Sequence, residues 1–102
     1  MGNNWKNIMD MIEYPREGIL SKDLFRSDKD NISLFCMAKG AAMEDHTSTK
    51  EGTVHVLEGE GTFNLEGEEI AMKPGVVIFM EKNVIHNLKA EENMSFLLTL
   101  HA

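Results

Sequence analysis

Four side chains carry an imidazole, His46, His55, His86 and His101, and one carries a thiol, Cys36. Imidazole moves protons near neutral pH and ligates borderline divalent ions, so the histidines are the first candidates for chemistry. A single cysteine excludes an internal disulfide and a thiolate-rich metal centre, and it suits a reducing compartment. Cys36 lies in the apolar run Ile32-Ser33-Leu34-Phe35-Cys36-Met37-Ala38. A buried, inert thiol is expected there rather than a nucleophile.

Length and charge narrow the class. The 102 residues are enough for one domain, residues 1–102, around a single core. A chain this short buries only about 60 to 68% of its unfolded surface, so it gains from covering a further face, and a homodimer is expected. Ten basic against seventeen acidic residues give a net charge of −7. Such a field repels phosphate backbones and anionic lipid, and no basic patch offsets it. Neither nucleic acid nor a membrane surface is expected as partner. No apolar stretch approaches the roughly 20 residues of a membrane span, and the opening Met1-Gly2-Asn3-Asn4-Trp5-Lys6 has no apolar signal core. The expected location is the cytoplasm.

The elements that must position these groups follow from periodicity. In residues 1–17, Trp5, Ile8, Met9 and Ile12 recur at helical spacing behind the candidate caps Asn3 and Asn4, and the pattern stops before Pro15. A short amphipathic N-terminal helix packed over the end of a sheet is expected; a lid or a dimer contact is the alternative. From residue 18 onward, β-type segments follow every 8 to 12 residues: Gly18 to Phe25, Asn31 to Ala38, Thr53 to Leu57, Thr62 to Leu65, Glu69 to Met72, Val76 to Met80, Val84 to Leu88 and Met94 to Leu100. Lys39-Gly40, Glu58-Gly59-Glu60-Gly61, Glu66-Gly67 and Lys73-Pro74-Gly75 supply the turns. No connection can hold a crossover helix, so the fold is expected to be all-β and antiparallel, a sandwich or barrel. Alternation places Phe63 and Leu65, Ile70 and Met72, and Met94, Phe96, Leu98 and Leu100 in the core. Eight methionines suggest an adaptable interior.

Two spaced motifs carry a family resemblance. Gly40, His46, Ser48, Gly52 and Gly59 follow the spacing of a motif in which a Gly precedes a His-x-His pair, a Glu and a further Gly. Lys73-Pro74-Gly75, the run Val76 to Met80 and then His86 follow a second motif of Pro, Gly and His. The segment from Gly40 to Ala90 thus resembles a small single-domain cupin, with the first motif at residues 40–59 and the second at 75–90. The resemblance implies an antiparallel double-stranded β-helix, the jelly-roll barrel. It also implies a divalent ion (Zn, Fe, Mn, Ni or Co) held by three histidines and a glutamate. His46 and His86 stand at two of those four positions, Ser48 at the second histidine and Gly52 at the glutamate. Glu81, Asn83 and Ala90 stand where the family often has Pro, Gly and Asn.

Two imidazoles and a hydroxyl hold an ion loosely, so a third ligand must come from elsewhere. If His46 and Ser48 face the interior, an unbroken strand turns Gly52, Val54 and Val56 inward and Glu51, Thr53 and His55 outward. A bulge at Gly52 would instead bring Glu51 inward as third ligand. His55 is expected on the outer face, and His101 in solvent or at the barrel mouth. The expected pocket has His46, Ser48 and His86 as its polar groups. Its apolar liners are expected among Phe35 or Leu34, Met43, Val54, Val56, Phe63, Met80 and Phe96. Three functions follow: a small-molecule-binding or sensory module, a metal-dependent oxygenase or isomerase using His46 and His86, and a structural subunit without pocket chemistry.

Overall fold

In the computed structural model, which describes residues 4–101, the alternating segments form nine strands. These are β1 (Ile19–Arg26), β2 (Asp30–Met37), β3 (Ala42–His46), β4 (Glu51–Glu58), β5 (Gly61–Leu65), β6 (Glu68–Met72), β7 (Val77–Met80), β8 (His86–Ala90) and β9 (Met94–His101). Every pairing is antiparallel. One sheet has the order β1-β2-β9-β4-β7 and the other β3-β8-β5-β6. Together they make the expected jelly-roll barrel. Because consecutive motif strands β3 and β4 lie in different sheets, the chain crosses between sheets just after His46. Each sequence motif therefore spans both sheets, with β3 beside β8 in one and β4 beside β7 in the other.

The inner faces pack on each other. Val54 and Val56 of β4, Phe63 of β5, Met72 of β6, Ile78 and Met80 of β7, Leu88 of β8 and Phe96 of β9 are buried there. A fully buried side chain of this size contributes about 1.5 to 3 kcal/mol. Truncating Phe63 to alanine, at 1% exposure, would cost about 3 to 5 kcal/mol. Of the residues assigned to the core by alternation, Phe63, Met72, Met94 and Phe96 lie here, with Leu65, Ile70 and Leu98 half-buried against the cluster, whereas Leu100 is half-buried outside it. The β5–β6 hairpin shows how local chemistry sets register. Leu65 pairs with Glu68, and Glu66 and Gly67 between them both have positive φ, 50° and 88°, the type I′ turn whose twist matches the strands.

The outer face of the five-stranded sheet has a second cluster of Leu24, Leu34 and Cys36. Leu34 and Cys36 are fully buried, so the thiol is enclosed as expected. Their cover is the N-terminal segment, through Ile8, Met11, Ile12 and Tyr14. Polar contacts pin it. The Tyr14 hydroxyl donates to the Glu58 carboxylate at 2.7 Å and lies 3.1 Å from Ser95 Oγ, while Lys22 Nζ donates to the Met11 carbonyl at 2.9 Å.

The expected N-terminal helix is reduced to a single 3-10 turn, Ile8–Asp10, capped by the Asn7 side chain, which accepts from the Met9 amide at 3.0 Å. Of the two candidate caps, Asn4 precedes that turn and Asn3 lies outside the described residues. A short isolated helix is marginal in water. Here Ile8, Met11, Ile12 and Tyr14 reach the sheet from a mostly irregular segment, leaving Trp5 and Met9 exposed. The segment therefore covers a sheet face, not its end.

Strand β3 was not expected. Its sequence, Ala42-Met43-Glu44-Asp45-His46, has residues depleted in strands and no alternation. Pairing with β8 supplies what propensity lacks. Strand β8 begins at His86 instead of Val84, after a turn in which Asn83 adopts the left-handed conformation (φ 64°). Asparagine tolerates that conformation better than most residues, so it can serve where the resembled motif often has glycine.

Candidate functional site

A cavity of about 220 Å³ opens between the sheets. Phe35 of β2, Val54 of β4, Met80 of β7, and Phe96 and Leu98 of β9 line one side. Met43 and His46 of β3, Phe63 of β5, and His86 and Leu88 of β8 line the other. One wall is wholly apolar. All polar side-chain atoms of the lining belong to the two histidines of the opposite wall.

His46 and His86 are direct cross-strand partners. They become so through a bulge. Met43 pairs with Leu88 and His46 with His86, three residues on β3 against two on β8. Strict alternation would turn His46 away from the face that Met43 uses; the extra residue restores it. A bulge thus shapes the site, but in β3 and not at Gly52.

The rings meet edge to face, with centroids 4.0 Å apart and planes at 61°. Each is oriented by its own backbone. His46 Nδ1 is 2.8 Å from the Glu44 carbonyl oxygen and His86 Nδ1 is 3.1 Å from that of Val84. A carbonyl oxygen only accepts, so both Nδ1 atoms carry the proton and donate. In the neutral ring this leaves Nε2 with its lone pair. Phe63 lies parallel to His86 at 5.7 Å. His86 is 5% exposed, and burial pushes its pKa below the usual 6.5; the adjacent His46 adds to the lowering and the bond to Val84 opposes it. His86 is therefore neutral at physiological pH.

The other candidate residues lie elsewhere. Ser48 is in the β3–β4 loop, where its Oγ accepts from the Lys50 amide at 3.1 Å and its carbonyl from the Asn83 amide at 2.7 Å. It shapes the crossing and does not line the cavity. Register is unbroken from Glu51 to Val56, with Gly52 opposite Leu100 and Val54 opposite Leu98. The bulge of β4 comes later, between Val56 and Glu58. Glu51 accordingly shares the outward parity of His55, is exposed, and pairs with His101, so it does not join His46 and His86. Gly52, Val54 and Val56 are buried as parity required, although Val56 packs in the core and does not line the cavity. His55 is exposed on the outer face, and His101 Nδ1 meets Asp30 Oδ1 at 2.8 Å. Phe35 lines the cavity, whereas Leu34 belongs to the outer cluster. Leu88 and Leu98 were missed as liners, although both follow from parity, Leu88 two residues after His86 and Leu98 two after Phe96.

These residues do not fit the divalent ion that the resemblance implies. Among the described residues no group of three histidine, cysteine, aspartate or glutamate side chains could hold one. At Gly52, where the resembled motif has its glutamate, a Cβ would stand 2.8 Å from Leu100 Cδ2 and 3.4 Å from Met80 Cε. Hydrocarbon already fills that corner. Two adjacent imidazoles facing an apolar wall are the polar groups of the cavity lining.

The family described as Cupin domain matches residues 33–100. A conserved protein of unknown function from Streptococcus pyogenes superposes with a TM-score of 0.87 at 22% identity, over 99% of this chain and 89% of that one. A cupin superfamily protein from Desulfitobacterium hafniense gives 0.88 at 22% identity, over 99% and 94% of the two chains. A cupin 2 conserved barrel domain protein from Leptotrichia buccalis gives 0.88 at 28% identity, over 95% of this chain and 47% of that one. No curated protein matches the chain.

Proposed function

The chain belongs to the cupin domain family, and from that premise we propose that its barrel is a small-molecule-binding module whose site is the cavity between the sheets. One observation carries this reading: an apolar cavity whose polar side-chain atoms come from two adjacent imidazoles, His46 and His86. Cavities of about 150 Å³ lined by hydrocarbon bind benzene. At about 220 Å³, this one suits a molecule somewhat larger than that. Val54 and Phe63 contribute apolar contact from opposite walls, while the imidazoles fix orientation. The metal-dependent oxygenase or isomerase stands second, because a facial triad requires a carboxylate and Glu51 points outward. The lone, enclosed thiol suits a cytoplasmic location.

The module is proposed to act as a homodimer through the exposed outer side of edge strand β7. Val77 and Phe79 are 59% and 51% exposed there, beside His55 and Thr53 of β4. Such apolar exposure on a sheet edge is commonly covered. Light scattering should give twice the chain mass of 11.5 kDa, and Phe79→Lys should restore the single-chain value. A wild-type monomer would remove the dimer and leave the cavity reading intact.

The test of the module is a ligand-observed NMR screen of small aromatic fragments against wild type and Leu98→Phe, which fills the cavity from its apolar wall. Fragments should bind the wild type and not the folded variant. Binding absent from the wild type, or unchanged in the variant, would sink the reading. Elemental analysis of untagged protein should find divalent metal well below one ion per chain. A near-stoichiometric ion would favour the metal-dependent enzyme.

A further inference from the structure

We infer that the cavity selects neutral molecules that donate a hydrogen bond from an aromatic-sized body, phenols and catechols as a class, over carboxylates of the same size. This rests on the reading of the cavity as the binding site. It follows from the direction of the hydrogen bonds already made. Both Nδ1–H groups are spent on the backbone carbonyls of Glu44 and Val84, which leaves Nε2 as the one free nitrogen of each ring, an acceptor when the ring is uncharged. The remaining lining is aliphatic, aromatic or thioether and brings no donor and no cation.

An ionised carboxylate is an acceptor on both oxygens. Facing lone pairs, it would leave its own oxygens and the Nε2 of the buried His86 without a donor, the costly arrangement in an enclosed site. The surrounding field opposes it further, the net charge being −7. A hydroxyl reverses the polarity, since its O–H donates to Nε2. Two neighbouring hydroxyls match two neighbouring acceptors, and the cross-strand pairing of His46 with His86 supplies these side by side.

The apolar part has an equally defined seat. Phe35 and Phe96 stack at 5.2 Å with planes 2° apart, two aromatic rings on the wall opposite the histidines. Phe63, parallel to His86, extends the aromatic surface on the other side. Since hydrocarbon cavities of about 150 Å³ bind benzene, about 220 Å³ leaves room for one ring with one or two small substituents. A long chain or a nucleotide would not fit.

The experiment uses four probes of nearly one size, phenol, catechol, toluene and benzoate. They are titrated against the untagged full chain by NMR in the presence of a chelator, at about pH 8 so that free imidazole is neutral. Phenol should bind about three- to tenfold more tightly than toluene, catechol at least as well as phenol, and benzoate most weakly. His86→Phe, which keeps an aromatic ring against Phe63 and leaves His46 as the one acceptor, should bring catechol to the phenol level, and adding His46→Phe should bring both to the toluene level. Nitrogen-15 shifts should show both rings protonated on Nδ1. Toluene binding as tightly as phenol would overturn the selectivity and leave the cavity standing as a site. Tightest binding by benzoate would also overturn it, by showing that the rings donate. If no probe binds, both the selectivity and the binding-site reading fall.

Discussion

Replacing His86 by phenylalanine should remove a pH dependence of stability that the wild type owes to one enclosed imidazole. The ring is 5% exposed, lies parallel to Phe63 and touches His46, so burial first and the neighbouring imidazole second lower its pKa from 6.5 in the folded chain. Above about pH 7 the group is neutral in both folded and unfolded states and contributes no pH dependence. As pH falls through 6.5, the unfolded chain takes up the proton first, and stability drops until the folded-state pKa is passed. The slope in that window approaches, and cannot exceed, about 1.4 kcal/mol per pH unit for one proton. Urea denaturation of wild type and His86→Phe from about pH 8 to about pH 5 isolates it, since the carboxylates titrate alike in both proteins. The difference between the two stabilities should be flat on the alkaline side and change steadily below about pH 6.5, with the wild type losing ground. Parallel curves would refute the reasoning. They would mean that imidazolium is accommodated at position 86 and that the cavity is not the low-dielectric space described above.

Two further predictions concern the frame around the site. Tyr14 is the sole tyrosine, and its phenol is pushed up to about 12, by burial first and by the Glu58 carboxylate, against the hydrogen bond from Ser95. The near-ultraviolet phenolate absorbance should therefore rise near pH 12 in folded protein and near 10 in denaturant. Because the unfolded phenol ionises first, stability should fall as pH rises between those values; a midpoint near 10 in folded protein would show that the N-terminal segment does not hold. Gly59 has φ 84°, and a Cβ there would run into the Asn93 backbone carbonyl. Gly59→Ala should cost more than about 2 kcal/mol and lower Tm by roughly 10 °C or more, and an unchanged melt would contradict the close approach.

How far the sequence could be read depends on which signal each element used. Strands β5, β6 and β9 alternate cleanly, so Phe63, Met72 and Phe96 could be assigned to the core without coordinates. The turn at Glu66-Gly67 could likewise be placed, because few dipeptides suit two positive φ values. Strand β3 hid because its acidic residues carry no periodicity and its bulge breaks what alternation remains. His46 and His86 were recognisable by spacing, yet their mutual contact depended on a pairing register that no local pattern encodes. Ser48 and Glu51 could not be placed for the same reason, an inward and an outward Glu51 both being open. Their orientation is decided by the sheet crossing and by where an extra residue falls, and neither leaves a compositional trace. At the N terminus the apolar spacing was real, but the sheet recruits those side chains without a full helix.

The bulge in β3 makes residue count, not residue type, the determinant of the site. An in-frame loss of Glu44 or Asp45 would preserve both histidines, the apolar lining and the sheet order, yet turn His46 off the cavity face. Such a deletion would look harmless in a comparison of functional residues while separating the two imidazoles that supply the polar side-chain atoms of the described lining. Conversely, a barrel of the same architecture that lacks a histidine pair could gain one by a single insertion beside an outward-facing histidine. Chemistry in this fold can thus arise or vanish through indels in a strand, the class of change usually assigned to loops.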